Sequence, residues 1–201
     1  FNFNQWQNEK GFKKFASHFY NQTSFLIDRK IKRNGANFDL NPFSKEEEEL
    51  IGLNTNFRNS LFFNRGKQHH STTYSFLLNE NQNLLSVGSV AAKNQSHQLQ
   101  YQHLVKKSWL FNFSGSTTST ESTSENYPNR NFEIESYQVE PKIGYLFSKN
   151  ASWDIFYEFQ QKENQIGAFE TLKQTRLGTS FTFNSEKGFS MNGEFSMYNN
   201  S

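Results

Sequence analysis

From Tyr137 to Phe147, the residues Tyr137, Val139, Pro141, Ile143, Tyr145 and Phe147 alternate with Gln138, Glu140, Lys142, Gly144 and Leu146. A short polar stretch follows, and then Trp153, Ile155, Tyr157 and Phe159 alternate with Asp154, Phe156, Glu158 and Gln160. Side chains on a strand point to opposite faces with period two, so this pattern predicts a hairpin with one aromatic-aliphatic face and one face of charges and amides. The alternation recurs in 12–29 (Phe15, Phe19, Thr23, Phe25, Ile27), 54–64 (Phe57, Leu61, Phe63), 70–78 (Tyr74, Phe76, Leu78) and 96–105 (Leu99, Tyr101, His103). It returns in 109–115 (Trp109, Phe111, Phe113), 170–183 (Leu177, Phe181, Phe183) and 189–198 (Phe189, Met191, Phe195, Met197). Phe1–Asn4 reads as the tail of a further strand, and the core of 84–90 as an extension of either neighbour.

The joints between these segments carry a second signal. Those at 5–11, 65–67, 106–108, 148–151 and 184–188 are short, whereas those at 30–53, 79–94, 116–130 and 161–168 are longer. Ser44 with Glu47 resembles a capping box and predicts a short helix within 30–53. The segment 116–130 is a Ser/Thr-rich low-complexity loop ending in Tyr127-Pro128-Asn129. Roughly ten strand-like segments result, several longer than the mode of about 5 or 6 residues in globular strands. They match the about 9 to 11 residues that a tilted strand needs to cross a bilayer. Short turns at one rim and longer loops at the other are the order of an up-and-down outer-membrane barrel.

Aromatic rings cluster at the short turns. Phe63, Trp109, Phe147, Trp153, Phe183 and Phe189 each flank one, next to Arg65 and Lys67, Lys106 and Lys107, Lys149 or Lys187. A ring at headgroup depth with a cation reaching outward to phosphate is what a membrane interface favours, so these six form the expected interface girdle. On the opposite face, Lys142, Glu158, Arg176 and Glu194 are expected to line the lumen as an alternating-charge row. A turn centred on Asn150 sets Lys142 opposite Glu158, with Phe147 opposite Trp153, Tyr145 opposite Ile155 and Ile143 opposite Tyr157. A turn centred on Glu186 sets Phe183 opposite Phe189 and Phe181 opposite Met191, with Arg176 a diagonal step from Glu194.

Composition agrees with burial by aromatics rather than an aliphatic core. The chain of 201 residues is 34% hydrophobic and 17% aromatic, with 23 Phe, 8 Tyr and 3 Trp. It has no Cys, which excludes a disulfide scaffold and a thiolate zinc site. A net charge of +2 and the lack of a recognition motif argue against nucleic acid as a partner. No apolar run is long enough for a transmembrane helix, which leaves a strand-built membrane protein open. The Phe1 start, with neither Met nor a signal sequence, is expected of a mature, trimmed or partial chain. Gly-x-Ser-x-Gly, Walker and His-Glu-x-x-His patterns are absent, so no enzyme, cofactor or metal is expected. His69 and His70 point to opposite faces of a strand, and His97 and His103 stand too far apart to share an ion.

The wording of Leu78 to Lys107 and of Tyr145 to Phe159 resembles the C-terminal barrel regions of very large outer-membrane proteins of Bacteroidota. That resemblance implies a bacterial outer-membrane location and a barrel fold; such barrels include TonB-dependent importers, secretion translocons and barrel-assembly partners. The expectation is therefore an all-β chain, residues 1–201 forming one segment of a transmembrane antiparallel up-and-down β-barrel that belongs to a larger barrel. Its expected function is that of a pore or of a transport or translocation component, with outer-membrane lipid and other envelope proteins as partners. Two alternatives stand beside it: a plugged structural subunit that docks envelope partners through its outer loops, and a soluble β-sandwich that binds glycans through exposed aromatics.

Overall fold

A computed structural model of the chain describes residues 6–33, 48–66, 69–85, 88–166, 170–185 and 188–201. After a short helix α1 (Phe12–Ala16) come nine strands: β1 (Phe19–Arg33), β2 (Glu48–Phe63), β3 (His70–Leu85), β4 (Gly88–Val105), β5 (Trp109–Ser124), β6 (Phe132–Ser148), β7 (Ala151–Asn164), β8 (Thr171–Asn184) and β9 (Ser190–Asn200). They form one antiparallel sheet in the order β1-β2-β3-β4-β5-β6-β7-β8-β9, each strand beside its neighbours in sequence. The up-and-down all-β expectation holds. The sheet is open, with β1 and β9 at its two edges, so closure into a barrel is not part of this structure.

Several boundaries differ from expectation for one physical reason. The connection expected at 79–94 is a hairpin whose 84–90 core extends the neighbouring strands as expected, with β3 and β4 paired as far as Leu85↔Gly88, and the Ser/Thr-rich stretch continues β5 to Ser124. Likewise β1 runs to Arg33, β7 to Asn164, and β2 begins at Glu48. These strand ends show no sustained hydrophobic alternation, yet backbone pairing carries the strands through them. The rim opposite the short turns therefore carries connections of mixed length, with only two residues between the end of β3 and the start of β4. The helix expected from Ser44 falls largely outside the described residues, but Glu48 and Glu49 pair with Arg33 and Lys32 as strand. Phe1–Asn4 also lies outside the described residues.

The segment expected as a strand from residue 12 begins with α1. Gly11 adopts φ 68 and breaks the extended chain, and Phe12 and Phe15 share a helix face. Phe15 packs on Phe19 and Phe63, with ring centroids 5.3 and 5.8 Å apart, which caps the short-turn rim beside β1.

Register places each side chain on one of two continuous faces. Phe25, Phe57, Leu78, Leu99, Phe113, Val139, Ile155, Leu177 and Phe195 fall on one; Ser60, Ser75, Gln98, Ser116, Gln138, Glu158, Arg176 and Glu194 fall on the other. Among the described residues, no second sheet or helix layer covers either face; the contacts join sequential strands and the 3-10 turn at Pro128–Arg130 to β5. Tyr137, Ile143, Trp153, Ile155 and Tyr157 are accordingly exposed, Tyr157 at 43%. Pro141, which has no N–H, sits where the β6–β7 ladder skips from Val139↔Phe159 to Lys142↔Phe156.

Candidate functional site: the polar face and its apolar reverse

The four expected lumen charges, Lys142, Glu158, Arg176 and Glu194, share the polar face across β6–β9, but their pairing is not the expected one. Both hairpins are displaced by two residues. Lys142 stands opposite Phe156 and Tyr145 opposite Trp153, while Phe183 pairs with Met191 and Phe181 with Gly193. A bulge between Leu146 and Ser148 and a tight turn at Lys149 and Asn150 account for the first slip. Because the slip is an even number, no side chain changes face.

Lys142 therefore meets Asp154 rather than Glu158, with Nζ 3.3 Å from Oδ2. Asp154 also accepts a long hydrogen bond from Ser180 Oγ at 3.5 Å. It lies against Gly144, where an added Cβ would collide with the carboxylate. Glu158 accepts a bond from Gln138 Nε2 at 2.8 Å and faces Arg176, whose Nη1 is 3.6 Å away. Arg176 also forms an ion pair with Glu194 on β9.

Phe156, absent from the expected site, organises the cluster. It is the one buried hydrophobic side chain among the described residues, at 7% exposure, although it lies on the polar face. Its ring lies over Gly178 of β8, where any Cβ would overlap it. The Arg176 guanidinium covers the ring at 4.8 Å and stands 5.3 Å from the Tyr198 ring. A cation spread over an aromatic face is held without consuming its hydrogen-bond donors, so Arg176 remains able to bridge two carboxylates. The sequence signal was an apolar residue out of phase on β7 together with a glycine on the polar phase of β8.

Towards β3, the polar face loses its charges. Ser71, Thr73 and Ser75 on β3, Gln98, Gln100 and Gln102 on β4, and Asn112, Ser114, Ser116 and Thr118 on β5 tile it with hydroxyls and amides. A shallow groove of about 290 Å³ between Thr73, Gln100, Asn112, Ser114 and Lys142 marks the border of the two regions.

On the reverse face, the expected girdle residues Phe63, Trp109, Phe147, Trp153 and Phe183 stand at the short-turn ends of β2, β5, β6, β7 and β8, and Phe189 lies in the turn before β9. Phe63 packs at a tilt on Phe19 at 5.0 Å, and Trp109, Tyr145 and Phe147 form a chain of edge contacts at 4.9 Å each. Lys106 and Lys107 both adopt positive φ in the β4–β5 turn. Arg65 departs from the outward-reaching role expected of it, since its guanidinium sits 4.8 Å from the Tyr20 and Phe62 rings on the polar face. Lys67 and Lys187 lie outside the described residues.

Only the tertiary register reveals the other limit of the apolar band. Above it, positions on the same face become polar on strand after strand: Glu80, Lys93, Glu121, Glu133, Glu163 and Lys173. Lys93 and Glu80 pair there at 3.6 Å. Beyond β5, the carboxylate of Glu125 accepts the Ser89 N–H at 2.8 Å, and that bond holds its pKa below the usual carboxylate value. Three histidines fall on the apolar face: His70 faces His103 across the β3–β4 ladder, and His97 is hydrogen-bonded to Tyr74 at 2.7 Å.

No protein-family model matches the chain, and no curated protein or solved structure matches it.

Proposed function

We propose that this chain is a segment of a transmembrane antiparallel β-barrel of a bacterial outer membrane, acting as a pore or a transport or translocation component. One observation carries the reading: a single-layer sheet of nine strands presents a continuous aromatic and aliphatic face that nothing among the described residues covers, bounded along the strands by a girdle at one end and charges at the other. An apolar surface spanning so many strands far exceeds the few hundred Å² that soluble monomers leave exposed, and hydrocarbon is the solvent that removes its cost. Strands of 11 to 18 residues are long enough. Those of β3 to β6 overshoot the about 9 to 11 residues a bilayer requires, and the excess is the polar stretch on the far side of the band. In this reading the polar face is the water-filled wall. Its neutral and charged regions then set what a permeant meets.

Nitroxide labels at Tyr157→Cys and Glu158→Cys, in the protein reconstituted into bilayers, test this. Oxygen, which concentrates in lipid, should reach the first label preferentially, and a water-soluble nickel chelate the second. Equal environments for the two neighbours, or a protein that stays out of the membrane fraction, would overturn the assignment.

A further inference from the structure

Within the membrane reading above, the edges of the sheet carry a statement about what completes it. Neighbouring strands alternate in direction along the whole order, so β1 and β9 run the same way, both from the short-turn rim to the far rim. We propose that an odd number of further strands, supplied by the same polypeptide, fills the space between β9 and β1, each antiparallel to its neighbours.

Three observations support it. First, both edges are bare among the described residues. Every side chain from Gln22 to Lys30 is exposed, as is every one on β9 except Ser196, with Leu26 at 62% and Phe195 at 67%. Secondly, the devices that keep an exposed strand from pairing are confined to the far-rim end of β1, where Asp28, Arg29, Lys30, Lys32 and Arg33 stand and the ladder bulges between Lys30 and Ile31. Phe19 to Ile27 contains no charge and no proline, and the only charge on β9, Glu194, is turned to Arg176 of β8. In hydrocarbon, each unpaired N–H or C=O on such an edge costs several kcal/mol, so the edges must be paired. Thirdly, parity restricts the partner. Direct closure of β9 onto β1 gives a parallel seam. Copies of this chain inserted in the same orientation and related by rotation about the membrane normal also meet β9 to β1 in parallel. Only an odd number of intervening strands preserves the antiparallel ladder at both seams, and it brings the total to the even count of bacterial single-chain barrels. Every existing joint links strands consecutive in sequence, which points to the same polypeptide as the source.

The experiment places photo-reactive benzoylphenylalanine in the full-length protein in its native membrane, at Asn192, Ser196 or Asn200 on one edge and at Gln22 or Leu26 on the other, and maps the cross-linked residues by mass spectrometry. Moving from Asn192 to Asn200 should move the cross-link to lower residue numbers on a partner strand outside β1–β9, and moving from Gln22 to Leu26 should do the same. Cross-links that ascend, that join β9 directly to β1, that connect two copies of the chain or capture a different protein, or that fail to form at either edge would each overturn the proposal. The nitroxide pair at positions 157 and 158 reads membrane exposure independently, so failure of the edge pairing and failure of the barrel assignment are told apart.

Discussion

The polar face divides into two regions built on the same backbone ladder by different means. On β3–β5, hydroxyls and amides are laid out with few bonds among themselves, such as Thr118–Ser96 at 3.3 Å. On β6–β9, charges are bridged around a buried ring: Lys142 to Asp154, and Glu158 to Arg176 to Glu194 over Phe156. Neutral polar groups facing water need no partner, so the first region tolerates exchange. The second depends on one aromatic-glycine fit to hold a multiply bridged cation in place. Stability on this face should therefore be concentrated in β6–β9, and so should the electric field.

The largest effect is expected from Gly178→Ala, which puts a methyl where the Phe156 ring lies and displaces the Arg176 shelf. It should lower stability by about 1 to 3 kcal/mol in chemical unfolding from lipid. A Phe156→Ala, Gly178→Ala double variant should show strong coupling between the two positions, whereas Gln100→Ala in the neutral region should stay within about half a kcal/mol of the parent. Independent losses at the two positions would break the contrast.

Next is selectivity. Arg176→Ala leaves Glu158 and Glu194 without their shared cation, so reversal potentials across a planar bilayer should move toward cation preference. Gln100→Ala should leave them unchanged. An equal shift from both variants would mean that the two regions contribute alike to the field.

The smallest effect concerns the far rim. Glu125 has a lowered pKa because the Ser89 N–H donates to its carboxylate. A carboxylate depressed in the folded state stabilises above its unfolded pKa and loses that contribution as pH falls through the folded value. Hydrogen exchange at the Ser89 amide should therefore accelerate, relative to neighbouring amides, as pH drops below the ordinary carboxylate range. Glu125→Gln should flatten that response. A parent protein as insensitive as the variant would remove the link.

Much of the architecture was legible in residue order because it depends on parity. The alternation of Tyr137 through Phe147 and of Trp153 through Phe159 assigned both faces of β6 and β7, and an even register slip left those assignments intact. The placement of Phe63, Trp109, Phe147, Trp153 and Phe183 at strand ends beside the short turns was legible for the same reason. Where alternation lapses, as in the mixed stretch 79–94 outside its 84–90 core and in the polar stretch 116–124, residues read as connections although the ladder runs through them. The α1 turn was hidden because Phe15 and Phe19 fit a strand phase and a helix phase equally.

What residue order determined by itself was period, face and the sites of the tight turns, since each follows from the local geometry of a few neighbouring residues. Only the tertiary structure decided the cross-strand partners. Lys142 meets Asp154 instead of Glu158 because the bulge after Leu146 shifts the ladder. Phe156 is buried on a polar face because Gly178, remote in sequence, leaves room beneath its ring. Such contacts depend on register summed over turns and bulges, to which alternation along a single strand is blind.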